Sequence, residues 1–441
     1  MHILIAPDSF KGALPAPEAA RAIETGLKRS GLSFSSQLTP LADGGEGTVD
    51  CLVRSAGGRF VTARVQDPLG REITARYGLI EESSENNISK SSNPNSIKRP
   101  DQSTKSNKHS QSTKTGSTNQ SSKTAQINKS IKPRNSSTSQ QPQTTAVLEM
   151  AAASGLPLLK QSEQNPALTT TYGTGQLIKD ALDRGADKIL LGIGGSATTD
   201  AGLGMASALG ARFLSASGEE LKGIGRNLAR VEKIDLTDLD SRIPKTEIEV
   251  ACDVDNPFYG PEGAAHVYAA QKGADSEMIA ELDAGLRHLA EIITTELGCN
   301  LQQLPGAGAA GGLGGGLHAF LGARLRSGTA MILDFLQLPA KISRADLVIT
   351  GEGKCDHQSS RGKVVGSLAK HCTAASTPLL VLCGSYDSDL LPLYNQGVTS
   401  VFSIQNRPVT LETSIAETEK LLTLTARNLG QLIKKLNKSK Q

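Results

Sequence analysis

Along the chain, short apolar runs alternate with stretches whose apolar residues recur at helical spacing. Residues 2–6 form an apolar run suited to a first strand, and residues 17–30 place Ala, Ile and Leu on one helical face. Residues 61–65 and 73–79, joined by Asp67-Pro-Leu-Gly-Arg71, predict a β-hairpin. Further strands are expected at 189–191, 247–252, 346–350, 379–383 and 398–404, and helices at 49–56, 176–184, 203–209, 278–297, 362–372 and 411–436. Strands and helices in alternation point to an α/β fold with parallel sheets. Apolar runs are too short for a membrane-spanning helix. The first residues lack a basic region and a cleavage-like site, so they read as a strand and not as a secretory signal.

The pattern breaks down between residues 86 and 145. That stretch carries ten Lys or Arg against one acid, Asp101, and five apolar residues, Ile88, Ile97, Ala125, Ile127 and Ile131. Its charge of +9 hides the character of the rest: the whole chain carries +3, so the remainder carries 3 − 9 = −6. So polar a segment buries too little to offset its ordering entropy, and a disordered insertion at about 83–145 is expected. Its lysines could attract phosphate non-specifically, but it has no aromatic residue on which bases would stack. Removing it joins a strand ending near Glu81 to one starting near Ala146, a hairpin-loop position. The six cysteines show no paired or zinc-like spacing, which fits free thiols in a reducing cytoplasm.

Candidate chemistry gathers where strands end. Gly192-Ile-Gly-Gly-Ser-Ala-Thr-Thr-Asp200 follows the 189–191 run and precedes the helix at 203–209. Glycines there let backbone approach a ligand, and N–H groups at a helix start favour an anion; a tight connection that needs small residues only for packing is the alternative. Pro7-Asp-Ser-Phe-Lys-Gly12 puts Asp8, Ser9 and Lys11 just past the first strand, where open α/β sheets hold ligands; the alternative is that Asp8 and Ser9 merely cap a turn. Asp43 and Glu46 sit among glycines in a second acidic turn, and Asp253, Asp255 and Asn256 supply oxygen ligands of the kind hydrated Mg2+ takes. Thr169-Thr-Thr-Tyr-Gly-Thr-Gly175 is an anion cradle or a plain N-cap. Gly306-Ala-Gly-Ala-Ala-Gly311 matches a dinucleotide fingerprint, yet no strand leads into it. It reads as a phosphate-facing or close-packed helix entry. The histidines at 266, 288, 318, 357 and 371 have no ligand spacing, and there is no serine-hydrolase elbow.

Seven blocks together resemble the type-1 (bacterial) glycerate kinases: Ala6-Pro-Asp-Ser-Phe-Lys-Gly12, Leu41-Ala-Asp-Gly-Gly-Glu-Gly47, Gly192-Ile-Gly-Gly-Ser-Ala-Thr198, Ala251-Cys-Asp-Val-Asp-Asn-Pro257, Gln271-Lys-Gly273, Gly306-Ala-Gly-Ala-Ala-Gly-Gly312 and Asp346-Leu-Val-Ile-Thr-Gly-Glu-Gly353. They stand in the family's order and cover the chain apart from residues 83–145. The resemblance implies ATP-dependent phosphorylation of D-glycerate, with 2-phosphoglycerate the favoured product, with Mg2+, and two α/β domains with a cleft between them. Where the family usually continues Asn-Asp-Gly-Gly after its Gly-Gly-Ser-Ala-Thr turn, this chain has Thr199-Asp200-Ala201-Gly202. The insertion is a second departure.

The expected architecture is therefore a Rossmann-like parallel-sheet domain from residues 1–58 and 335–441, interrupted by an inserted α/β domain over 59–334. In the cleft, Asp8, Ser9, Lys11 and Asp43 are expected to bind the substrate. Gly194, Gly195, Ser196, Thr198, Gly311 and Gly312 are expected to bind the nucleotide. Asp200 and Asp253 are expected at the metal, and Lys11 and Asp200 in catalysis. A nicotinamide-dependent dehydrogenase of a small hydroxy acid, a non-catalytic glycerate sensor and a nucleic-acid binder are the competing readings. Neither nucleic acid nor membrane is an expected partner.

Overall fold

The computed structural model describes residues 1–42, 47–81, 143–356, 359, 364–387 and 389–438. Within it, Met1–Glu81 and Gln143–Gln441 form one compact unit. Among the described residues its strands are thirteen: β1 (His2–Ile5), β2 (Ser35–Leu38), β3 (Arg59–Gln66), β4 (Glu72–Glu81), β5 (Thr144–Glu149), β6 (Lys188–Gly192), β7 (Arg212–Leu214), β8 (Lys233–Asp235), β9 (Glu247–Ala251), β10 (Arg324–Arg326), β11 (Leu347–Cys355), β12 (Leu379–Tyr386) and β13 (Ser400–Ser403).

The first sheet has the order β13-β12-β11-β1-β2 and is parallel throughout. From β1 the chain moves to β2 on one side, whereas β11, β12 and β13 step away on the other. The order reverses between β1 and β11, the place where an open α/β sheet leaves a crevice at its carboxyl edge. Alternation fixes the two faces: Ile3 and Ile5 pack with Ala16–Arg29 and Thr418–Lys438, while Leu4 and Val348 face the opposite side. β2 escapes the sequence pattern because Ser35-Ser-Gln-Leu38 is polar, as an edge strand can be.

The second sheet, β10-β9-β6-β5-β4-β3, joins an antiparallel hairpin to four strands that run parallel. Its Val147, Leu190 and Ala251 share one apolar cluster with Leu4 and Val348 of the first sheet. The opposite face, including Leu148, Ile189, Leu191 and Val250, builds a separate core with the 172–183 and 276–297 helices. β7 and β8 form a small ribbon apart.

Three expectations need adjusting. β11 continues through Gly351-Glu-Gly-Lys-Cys355, where a turn was expected, because the similarly long β12 supplies partners as far as Cys355↔Tyr386. The single helix expected at 411–436 is two, Leu411–Ala416 and Thr418–Lys438, with Glu417 as the cap of the first. Thr144 and Thr145, counted into the polar insertion, open β5; Thr145 is fully buried. Residues 83–142 of that insertion lie outside the described residues.

Glu81 and Thr144 are register partners across β4 and β5, so whatever lies between them leaves and re-enters the sheet at adjacent points. Replacing residues 82–142 by a short turn should therefore keep the melting temperature or raise it, since the shorter loop lowers the closure cost by roughly 2 kcal/mol. Calorimetry on the deleted chain checks this; a fall of several degrees would show that the segment supports the fold.

Candidate active site

β6 runs between β5 and β9, and all three end at the same edge: Glu149 pairs with Gly192, and Gly192 with Ala251. The chain then enters the glycine-rich turn. Gly194 and Gly195 are exposed, and a side chain at Gly194 would meet open space. Gly195 has φ +72°, a conformation that suits glycine. Backbone bonds from Met150 to Gly192, Leu156 to Gly195 and Ala197 to Ser154 fasten the turn along residues 150–156. What remains open outward is Gly194-Gly195 with the edge of Ser196, which is 8% exposed.

Beneath this turn lie two buried charges. Lys272 is 1% exposed, and its Nζ donates to Ser196 Oγ and to the Thr198 carbonyl, each at 2.7 Å. Burial pushes its ammonium down to about 7, and the Asp200 carboxylate opposes that shift. Asp200 itself has no exposed surface. It accepts from Thr171 N (2.7 Å), Thr171 Oγ1 (2.8 Å), Gly202 N (3.2 Å) and Gly204 N (3.3 Å). Burial raises its pKa, but four donors leave little room for a carboxyl proton, and the anion is the form this geometry accommodates.

The sequence suggested a ligand anion at the start of the helix after the turn. That helix, Leu203–Ala208, is only six residues long, and the anion at its start is the chain's own Asp200. Asp200 therefore meets the turn from inside, and it is not exposed to solvent. Ala201, where the family usually has glycine, keeps the positive φ of 53° that the turn demands. An alanine there costs about 1–2 kcal/mol. The backbone path survives the substitution.

Gly311 and Gly312 also act from behind. An added Cβ at Gly311 would lie 2.0 Å from the Thr198 carbonyl, and one at Gly312 would press on Phe258 and Ala201. Of the two readings of this glycine run, the geometry favours close packing. Thr198 is buried as well, with its carbonyl committed to Lys272. Asp253 and Asp255 are exposed just past β9, and Asp253 Oδ1 accepts from Gly328 N at 3.0 Å. Thr169 and Thr171 serve the turn: Thr169 Oγ1 donates to the Ala197 carbonyl at 2.9 Å, and Thr171 holds Asp200.

At the carboxyl edge of the first sheet, the crevice between β1 and β11 opens into a cavity of about 790 Å³. Asp8, Ser9 and Lys11 line it from β1, and Glu352 and Lys354 from β11. Ile404, Leu411 and Ile415 give it an apolar wall. Asp8 is nearly buried, its N–H bonded to the Gly351 carbonyl at 2.8 Å, whereas Lys11 is exposed. Asp43 and Glu46 lie outside the described residues. The flanks of their turn are tied to both edges: Leu41 N donates to the Pro7 carbonyl at 2.8 Å, and Val49 N to Glu149 Oε1 at 3.2 Å.

Sequence reasoning had given no role to Lys272, although Gln271-Lys-Gly273 is one of the resembling blocks. A lysine between small residues carries no periodic signal, and only the fold brings it under a turn 74–76 residues away. Glu149, Glu352 and Lys354 were missed as well, because each sits within or at the end of a strand.

The chain matches the glycerate kinase family over residues 3–93 and 108–434. It is 39% identical to a glycerate kinase of Halalkalibacterium halodurans, covering 99% of both chains. To a glycerate 2-kinase of Escherichia coli K12 it is 37% identical over 93% of this chain and 92% of the relative. A solved structure from Salmonella typhimurium LT2, provisionally named glycerate kinase 2, superposes with a TM-score of 0.78 at 37% identity over 99% of each chain. By this match and these identities the chain belongs to the glycerate kinase family.

Proposed function

We propose that this chain transfers the γ-phosphoryl group of ATP to D-glycerate, with the 2-hydroxyl as the favoured acceptor. The observation that carries this reading is the cavity at the switch point of the first sheet, with Asp8, Ser9 and Lys11 on its polar wall. A hydroxy acid needs a cation for its carboxylate and acceptors for its hydroxyls, and this wall offers both. The cavity is several times larger than a three-carbon acid, which leaves room for part of a second substrate. On the neighbouring edge, the exposed Gly194-Gly195 backbone and the largely buried Ser196 hydroxyl beside it are the donors offered to phosphate.

In the transfer, the glycerate oxygen forms its bond to the γ-phosphorus, the bond to the bridging oxygen breaks, and ADP leaves. Such chemistry asks the protein for positioning and charge neutralisation more than for covalent work. Asp8 and Asp43 are the carboxylates assigned to orient the acceptor hydroxyl and take its proton; Lys11 is assigned to the glycerate carboxylate. Asp200, expected at the reacting atoms or the metal, acts in this reading by holding the turn in shape. The working domains are residues 1–58 with 335–441, and 59–334.

Mg2+ keeps several waters and takes one or two carboxylates together with substrate phosphates. Among the described residues no three His, Cys, Asp or Glu side chains converge, so a cage made wholly of protein is not the pattern offered. The exposed Asp253, with Asp255 beside it, fits the sparser pattern; Asp200, with both oxygens taken by internal donors, fits it poorly. Bound there, the ion would neutralise phosphate charge. No helix among the described residues is long and apolar enough to cross a membrane. All six cysteines are free thiols, in keeping with work in a reducing cytoplasm.

A coupled assay of ADP release with D-glycerate, followed by phosphorus NMR of the product, tests the activity. D-glycerate-dependent release of ADP with the phosphate on C2 is the expected result. Turnover of a nicotinamide cofactor without ATP use would favour the dehydrogenase, and glycerate binding without turnover would favour the sensor.

Lys11→Met separates the lysine's possible roles. A carboxylate clamp formed equally in the ground and transition states gives, when lost, a higher KM for glycerate and spares kcat. The expected outcome is a glycerate KM raised about tenfold or more, as for a lost hydrogen bond to a charged group, with the KM for ATP unchanged. A change confined to ATP would remove Lys11 from the acid's site.

A further inference from the structure

An ammonium group has three donors and no acceptor. At 2.7 Å from Ser196 Oγ, the charged form of Lys272, which the Asp200 carboxylate favours against burial, makes that oxygen accept, and the serine's own hydrogen then turns elsewhere. The inner side of Ser196 is filled by Lys272 and by the segment around Ser154 and Gly155, to which the turn is bridged. Ser196 keeps 8% exposure, and a side chain built on Gly194, two residues before it, would meet open space. We propose that Lys272 is a positioning residue which, from beneath the Gly194-Gly195-Ser196 turn, commits the Ser196 hydroxyl to donate outward to the phosphate oxygens of the nucleotide.

The proposal rests on the kinase reading above and deepens it. Burying a lysine is costly unless its charge is paired and hydrogen-bonded. Here the second proton is taken by the Thr198 carbonyl, and Asp200, on the same turn, supplies the opposing charge. A neutral methionine would fill the space without that cost, yet it would leave Ser196 Oγ free to turn its hydrogen inward. A merely structural clamp would need no hydroxyl beside the open face of the turn. This one ends on Ser196, 8% exposed and next to two exposed glycines. The buried positive charge also lies under the surface where phosphate would sit, screened less than a surface lysine would be.

Because Lys272 acts through Ser196, the two should not contribute independently. Dissociation constants for ATP with Mg2+, by isothermal titration calorimetry, are to be compared for the full-length chain, Ser196→Ala, Lys272→Met and the double variant, with melting temperatures recorded for all four. Both single variants should weaken ATP about tenfold or more, the effect of losing a hydrogen bond to a charged group. The double should be no weaker than the worse single, and the glycerate KM should stay within about twofold. Lys272→Arg, which keeps the donors, should recover part of the affinity. Should Lys272→Met fail to fold, Lys272→Gln and Ser196→Ala carry the same comparison. Additive losses, or variants that melt earlier but bind ATP as before, would overturn the proposal. A native chain that binds no ATP would instead overturn the kinase reading on which it rests, so the two failures are distinct.

Discussion

The turn after β6 depends on two opposite charges held out of water. Asp200 gathers four donors from Thr171, Gly202 and Gly204, and Lys272 spans from Ser196 to the Thr198 carbonyl. Neither charge would be tolerated in the interior alone. Together they hold a stretch of backbone that has little regular hydrogen bonding of its own, and they do so from behind, leaving its outer face open. Glycines pressed against Thr198 and Ala201 from residues 311 and 312 close the remaining side. The arrangement makes a rigid cradle from residues that are individually flexible.

Its place in the fold gives that cradle a use. Strands β5, β6 and β9 end together, so Glu149, the glycine turn and Asp253 share one edge. The first sheet brings Asp8, Ser9 and Lys11 to its own carboxyl edge, at the point where strand order reverses. Residues 41 and 49 are bonded to opposite edges, and a common apolar cluster runs beneath both sheets. An acid-binding wall and a phosphate-facing turn are thereby parts of one compact unit.

Most of the strands and helices were legible in the sequence, because parallel sheets covered on both faces need continuous apolar runs such as Leu347–Thr350 and Ile189–Leu191. What escaped did so for physical reasons. β2 is a polar edge strand, and the extension of β11 depends on a partner strand that local sequence does not reveal. The site was legible as a set of blocks, not as a set of roles. Asp200 looks like a reactive carboxylate from its neighbours in sequence, but hydrogen bonds from Thr171, 29 residues earlier, make it internal. Gly311 and Gly312 look like phosphate contacts until the backbone they pack against is known. Lys272 had no local signal at all, since its meaning lies in a contact 76 residues distant.

The central claim is that Asp200 and Lys272 support the turn as a pair. A double-mutant cycle on stability, using urea unfolding of the native chain, Asp200→Asn, Lys272→Met and the double variant, measures that directly. Each single change leaves one buried charge without its counterpart. The double should therefore be less destabilised than the sum of the singles by about 1.5 kcal/mol or more. Additivity within about 0.5 kcal/mol would contradict the account, leaving two unrelated buried groups where a supporting pair is claimed.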